Sequence, residues 1–164
     1  MPLDLCVAFD YIMFRITHSL EKRFGQMNVK VYYVSPKGCA ETIADAIAKE
    51  LKCTKEALMP AYMPKNVSMM FIGCEGRKAD KVTLGFLSSL NVNRVRNAAL
   101  FSCSPKRENT AIIQMREILE SKGINVLEGS KAFPGKGFLS GKKPGLEDLE
   151  AARKFAAESM NSIK

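Results

Sequence analysis

The chain contains no tryptophan and only one histidine among its 164 residues. That histidine, His18, stands in the N-terminal stretch and is expected on the surface rather than as a ligand, which argues against a His-based triad or a His metal site. Aromatics make up 8% of the chain, and no segment alternates bases with aromatics or gathers a Lys/Arg run. A dedicated nucleic-acid groove therefore has little to rest on beyond net charge. No CxxC pair occurs. The cysteines number five, an odd count at irregular spacing, which points to a reducing, cytosolic compartment rather than a disulfide framework. Long uncharged apolar runs are also missing. Pro2 to Phe24 carries many large apolar side chains, but Asp4, Asp10 and Arg15 interrupt it, so it is too short and too charged to span a bilayer. It lacks the basic start and small-residue cleavage site of a secretory signal. Acid is in deficit as well: 17 Asp and Glu against 25 Lys and Arg leave a net charge of +8, a surface that favours anionic ligands or partners.

What remains is the composition of one compact domain, 46% hydrophobic, with enough chain for a sizeable core. Residues 1–26 are set apart as a helical or partly disordered appendage without a catalytic role. Either they form an amphipathic helix that docks on the domain or a partner, or they lie upstream of the true start, because Met27 stands just before the first strand. The domain is expected to run from residue 27 to residue 164.

The chain is organised around Val29 to Leu51, VKVYYVSPKGCAETIADAIAKEL. The run Val29 to Val34, with only Lys30 polar, has the character of a central parallel strand covered on both faces. Ser35, Pro36, Lys37 and Gly38 break it. From Cys39 onward Ile43, Ala44, Ile47, Ala48 and Leu51 recur on one helical face. A loop in this position presents the unpaired amides and positive dipole end of the helix, an arrangement suited to a phosphate. A plain strand-to-helix turn without a ligand has the same pattern.

The unit then repeats. Cys53 to Leu58 is a weak edge strand, Val67 to Ile72 a second buried run, and a helix from Ala79 turns Val82, Phe86, Leu87 and Leu90 inward. Asn97 to Ser102 is the next strand. Asn109 is suited to cap a helix that presents Ile112, Ile113, Met115, Ile118 and Leu119 to the sheet and stops at Lys122 and Gly123. Ile124 to Leu127 is a fifth strand, and Leu146 to Met160 the last helix. Alternating strands and helices imply right-handed crossovers and a parallel sheet with helices on both faces. In such sheets the ligand lies beyond the carboxyl ends of the strands. Those ends carry Lys37, Arg77, Lys78, Lys106, Arg107 and Lys136, a basic rim able to steer an anion inward, although bases also solvate loops that bind nothing.

Strand and helix order over about Met27 to Met160 resembles the flavodoxins. In that family the first loop is Ser/Thr-x-Thr-Gly-x-Thr and wraps the phosphate of FMN. Here it is Ser35, Pro36, Lys37, Gly38, Cys39 and Ala40: Ser35 and Gly38 match, while Lys37 and Ala40 replace the two threonines. Lys37 offers a full charge in compensation. The resemblance implies an α/β three-layer sandwich with a five-stranded parallel sheet in the order 2-1-3-4-5. It also implies FMN, with the ring between Gly73, Cys74, Glu75, Gly76 and Arg77 on one side and Ser102, Cys103, Ser104 and Pro105 on the other. Phe133 to Phe138 and Pro144 to Ala152 resemble the family's last strand and helix. Electron-carrier flavodoxins are acidic and stack the ring between aromatics. This chain is basic and has no aromatic in either ring loop, so an acidic redox partner, or an anionic substrate beside the flavin, fits better than a basic partner.

Further expectations follow from the residues. Cys39, Cys74 and Cys103 each fall just after a strand and are expected around one crevice, with Cys39 at a helix N-terminus where thiolate is favoured; as small, easily buried residues they also suit tight loops without any chemistry. Glu75 is expected as a solvated loop carboxylate, or as an acceptor for the flavin N3–H. Lys131 to Lys143 forms either a lid over a phosphate-bearing substrate or a plain connection. The functional expectation is an FMN-binding redox protein, and, if an enzyme, an FMN-dependent oxidoreductase. The alternatives are a flavin-free module whose basic rim holds another anion or a protein, and a nucleic-acid accessory protein. The FMN reading depends on an anion docking against the amides that begin the first helix; a spot plugged by the protein's own side chains, with no room for a phosphate, removes the redox reading and leaves only the scaffold.

Overall fold

A computed structural model describes residues 27–104, 109–134 and 143–163. The appendage expected over residues 1–26, with His18, lies outside the described residues. Strand β1 (Val29–Val34) leads into helix α1 (Cys39–Glu50), followed by β2 (Thr54–Ala57), β3 (Val67–Glu75), α2 (Lys81–Ser88), β4 (Val95–Cys103), α3 (Thr110–Ser121), β5 (Asn125–Val126), β6 (Lys131–Phe133) and α4 (Leu146–Asn161). All strand pairs are parallel, and the order is β2-β1-β3-β4-β5, with β6 also on β4. The expected α/β sandwich and 2-1-3-4-5 order are present, with the fifth position shared by two short strands. β5 lies beside Asn97 and Ala98 and β6 beside Phe101 to Cys103. Between them the chain bulges outward, and Arg116 of α3 holds the bulge by donating to the Leu127 carbonyl at 3.0 Å and the Ser130 hydroxyl at 2.8 Å.

Strand alternation divides the core into two halves. Val31, Met69, Phe71, Ala99 and Phe101 pack under α1 and α4 against Ile43, Ile47, Phe155 and Met160. Tyr32, Met70, Ile72, Ala98 and Leu100 pack under α2 and α3 against Phe86, Leu87, Met115 and Leu119. β3 and β4 lie at the centre and run longer than their apolar stretches suggest. The helices begin where their caps dictate: Asp80 accepts from the Thr83 amide at 2.6 Å and Asn109 from the Ile112 amide at 3.4 Å. Two inward assignments are corrected. The buried stripe of α2 is Thr83, Phe86 and Leu87, which leaves Val82 50% exposed, and α3 buries Ala111, Met115 and Leu119, which leaves Ile113 56% exposed.

Gly73 explains itself within this core. A Cβ built there falls 2.0 Å from a ring carbon of Phe101, the residue directly across the β3–β4 ladder, and that ring packs edge-on against Phe133 at 6.5 Å. Gly73 is the space into which Phe101 fits. Gly73→Ala is expected to destabilise the fold by about 1–3 kcal/mol through overpacking, read as a lower urea midpoint; an unchanged midpoint would refute the close approach.

Candidate functional site

β1 ends at Val34, and the chain turns through Ser35 to Gly38 into α1. Gly38 holds φ +85°, a left-handed conformation that glycine adopts without strain, and its carbonyl accepts from the Thr42 amide at 3.2 Å. The turn leaves several donors pointing at one spot beyond the carboxyl end of the sheet. That spot is filled by a carboxylate. Glu75 Oε1 accepts from the Ser35 hydroxyl at 2.5 Å and from the amides of Cys39 at 2.6 Å and Ala40 at 3.0 Å, while Oε2 accepts from the Lys37 amide at 2.9 Å. Ser35 Oγ in turn accepts from the Glu41 amide at 3.0 Å. Where a ligand phosphate was expected at this helix N-terminus, the donors meet a carboxylate of the chain itself.

The placement of Glu75 follows from register. β3 reaches one residue past the last partner of β1, since Val34 pairs with Cys74 and Glu75 pairs with Cys103. Alternation then sends Glu75 to the same face as Phe71 and Gly73, which is the face covered by α1. Burial alone would raise its pKa, but the bonds from Ser35 and the amides of Ala40, Lys37 and Cys39 outweigh it and hold the carboxyl below its ordinary value. Glu75 is thus not the solvated loop carboxylate that was expected. Sequence reasoning ended β3 at Ile72; carrying the alternation Met69, Phe71, Gly73, Glu75 three residues further would have aimed this side chain at α1.

The other expected site residues fall into groups. Ser35, Lys37, Cys39 and Ala40 supply the cradle, and Pro36 and Gly38 shape it. Gly73, Cys74 and Glu75 belong to β3 and Ser102 and Cys103 to β4, so of the residues expected around a ring Gly76, Arg77 and Ser104 are the described ones in loops. Gly76 takes φ +93° and donates its amide to the Cys103 carbonyl at 2.9 Å. Arg77 accepts from the Ala111 amide at 2.8 Å through its carbonyl. Ser102 is fully buried and receives a hydrogen bond from the Asn109 side chain, tying β4 to the cap of α3. The Ser104 amide donates to the Phe133 carbonyl at 3.2 Å. Pro105, Lys106, Arg107, Lys136 and most of the glycine-rich Lys131 to Lys143 stretch lie outside the described residues.

The three cysteines do not form the single cluster expected. Cys39 and Cys103 lie in the α1 half of the core and Cys74 in the other half, because consecutive strand positions face opposite ways. The Cys103 thiol is pushed far up by its hydrogen bond with Cys39, then by burial and by Glu75 nearby. Burial, with Asp80 and Glu75, pushes Cys74 up to about 12. The amide end of α1, expected to favour a Cys39 thiolate, already faces a carboxylate. Among the described residues no group of three or more His, Cys, Asp or Glu is placed to hold a metal, and no helix is long and apolar enough to cross a membrane.

No family model matches the sequence, and no curated protein matches it. Solved structures do. A flavodoxin from the domain Archaea is similar at 15% identity and TM-score 0.60, covering 82% of this chain and 97% of its own. A Streptococcus pneumoniae flavodoxin is similar at 16% identity and TM-score 0.62, covering 82% and 99%. Flavodoxin 2 from Bacillus cereus is similar at 18% identity and TM-score 0.61, covering 83% and 99%. The fold is flavodoxin-like.

Two outcomes follow from the site. Because the folded-state pKa of Glu75 is depressed, its contribution to stability is present above the ordinary glutamate value of 4.5 and is lost as pH falls through the lower folded value. The urea midpoint of Glu75→Gln should lie below that of the parent at pH 7, and the gap should close on acidification; a gap independent of pH would contradict the hydrogen-bonded carboxylate. Cys74 and Cys103 should react with iodoacetamide at neutral pH at least tenfold more slowly in the folded than in the urea-unfolded chain, as followed by peptide mass spectrometry.

Proposed function

We propose that the protein binds FMN and works in electron transfer, with the flavin phosphate in the Ser35 to Ala40 cradle. The observation that carries this reading is the convergence of one hydroxyl and three amides on a single oxyanion at the start of α1. That donor set fits a phosphate as well as a carboxylate. It lies at the carboxyl edge of β1, where the strand order of the sheet reverses. FMN, when bound, supplies one- and two-electron chemistry. The chain's own residues hold and orient it: Ser35 and the amides of Lys37, Cys39 and Ala40 on the phosphate, and the strand ends at Gly76, Arg77 and Ser104, with Pro105, toward the ring. Lys37, exposed in the turn, adds a charge beside the phosphate. The excess of bases favours an acidic redox partner.

A second reading is favoured by the occupancy of the cradle. Each of its four donors already has an acceptor in Glu75, which is the arrangement of a flavin-free scaffold that has replaced the ligand phosphate with a side chain. In that case the basic rim serves another anion or a protein.

A visible spectrum of freshly purified protein, followed by an FMN titration with flavin fluorescence as the readout, separates the two. Saturable binding at or below tens of micromolar supports the first reading, and its absence supports the second. Lys37→Ala is expected to weaken FMN about threefold to fivefold, the scale of an exposed charge pair; unchanged affinity would remove Lys37 from the site.

A further inference from the structure

Every backbone amide from Lys37 to Glu41, and the Ser35 hydroxyl, is committed. Ser35 Oγ and the amides of Lys37, Cys39 and Ala40 go to Glu75, the Gly38 amide to the Ser35 carbonyl at 3.4 Å, and the Glu41 amide to Ser35 Oγ. An incoming anion can still meet the exposed Lys37 ammonium, but to use the amides and the Ser35 hydroxyl it has to replace the carboxylate.

Resting on the reading of the cradle as a phosphate site, we infer that Glu75 is a resident competitor which a ligand must displace, and that it restricts the cradle to phosphomonoesters. The side chain is tethered at the end of β3, so it meets the cradle at the high effective concentration of an intramolecular partner. A ligand carboxylate offers the same two oxygens and the same single charge, and gains nothing by exchange. A phosphomonoester near neutral pH brings close to two charges and three acceptor oxygens, and only that surplus shifts the equilibrium. A neutral ligand has no claim on these donors.

The displaced carboxylate has somewhere to go. Glu75 is only partly buried, at the last position of β3, so its side chain borders solvent. The Gly76 amide stays on the Cys103 carbonyl. Since a ligand sees only the fraction of molecules with the cradle open, its apparent affinity falls by that fraction.

The test compares the parent chain with Glu75→Ala and Glu75→Gln, using FMN and riboflavin by flavin fluorescence, and inorganic phosphate and acetate by thermal shift. Glu75→Ala should bind inorganic phosphate and FMN about tenfold or more tightly than the parent. Its affinity for riboflavin should be unchanged, and acetate should stabilise it while leaving the parent unaffected. Glu75→Gln keeps the shape of the side chain without its charge, should gain in the same direction, and decides the matter if the alanine variant does not fold. Phosphate affinity equal to or weaker than the parent's in the folded variants overturns the inference. If the variants gain phosphate but neither they nor the parent take FMN, the competitor role stands and the FMN reading falls. If the parent takes FMN and the variants bind it no more tightly, the FMN reading stands and the competitor role falls.

Discussion

The contact between the Glu75 carboxylate and the turn that opens α1 binds together features that otherwise look unrelated. It satisfies backbone amides that a helix N-terminus leaves unpaired, a need that is costly to neglect in a half-buried turn. It places a negative charge at the positive end of the helix dipole. It also ties the end of β3 to the start of α1, joining the central strand to the loop expected to carry function. A phosphate would meet the same three demands, which is why one geometry is compatible with a ligand site and with a self-contained scaffold.

The surrounding fold is built so that this contact is possible. Parallel pairing of β1 and β3 brings their carboxyl ends side by side, and the right-handed crossover lays α1 back over the sheet with its first turn above that edge. Gly73 leaves room for the Phe101 ring two positions before Glu75 on the same face of β3. Below it, the edge-on ring contacts of Phe71 and Phe133 with Phe155, at 5.8 Å and 6.4 Å, fix α4 against the same face.

Much of this was legible in the sequence, and the misses share a cause. The opening run Val29 to Val34, the helical spacing of Ile43, Ala44, Ile47 and Ala48, and the Asn109 cap give the architecture because each is a local pattern with a local physical reason. The turn from Ser35 to Ala40 was legible for the same reason. Glu75 was not, because a strand that ends in glycine, cysteine and glutamate carries no apolar signal over its last residues, and only the pairing with β4 extends it. The cysteines were misjudged for a related reason: adjacency to strand ends says nothing of which face a side chain takes, and alternation separates Cys74 from Cys39 and Cys103. Val82 and Ile113 show that apolar character alone does not fix the inward stripe of a short helix.

The outward bulge between β5 and β6 has a practical side. The Glu128 side chain is 98% exposed there and meets Arg116 only as a surface ion pair at 3.8 Å, Gly129 next to it has open space where a Cβ would stand, and the hydrogen bonds of Arg116 go to the flanks at Leu127 and Ser130. Exposed tips of this kind accept added chain with little loss to the body that carries them. The bulge is therefore a natural place to graft a fluorophore, an affinity handle or a fused reporter while the opening turn is left untouched.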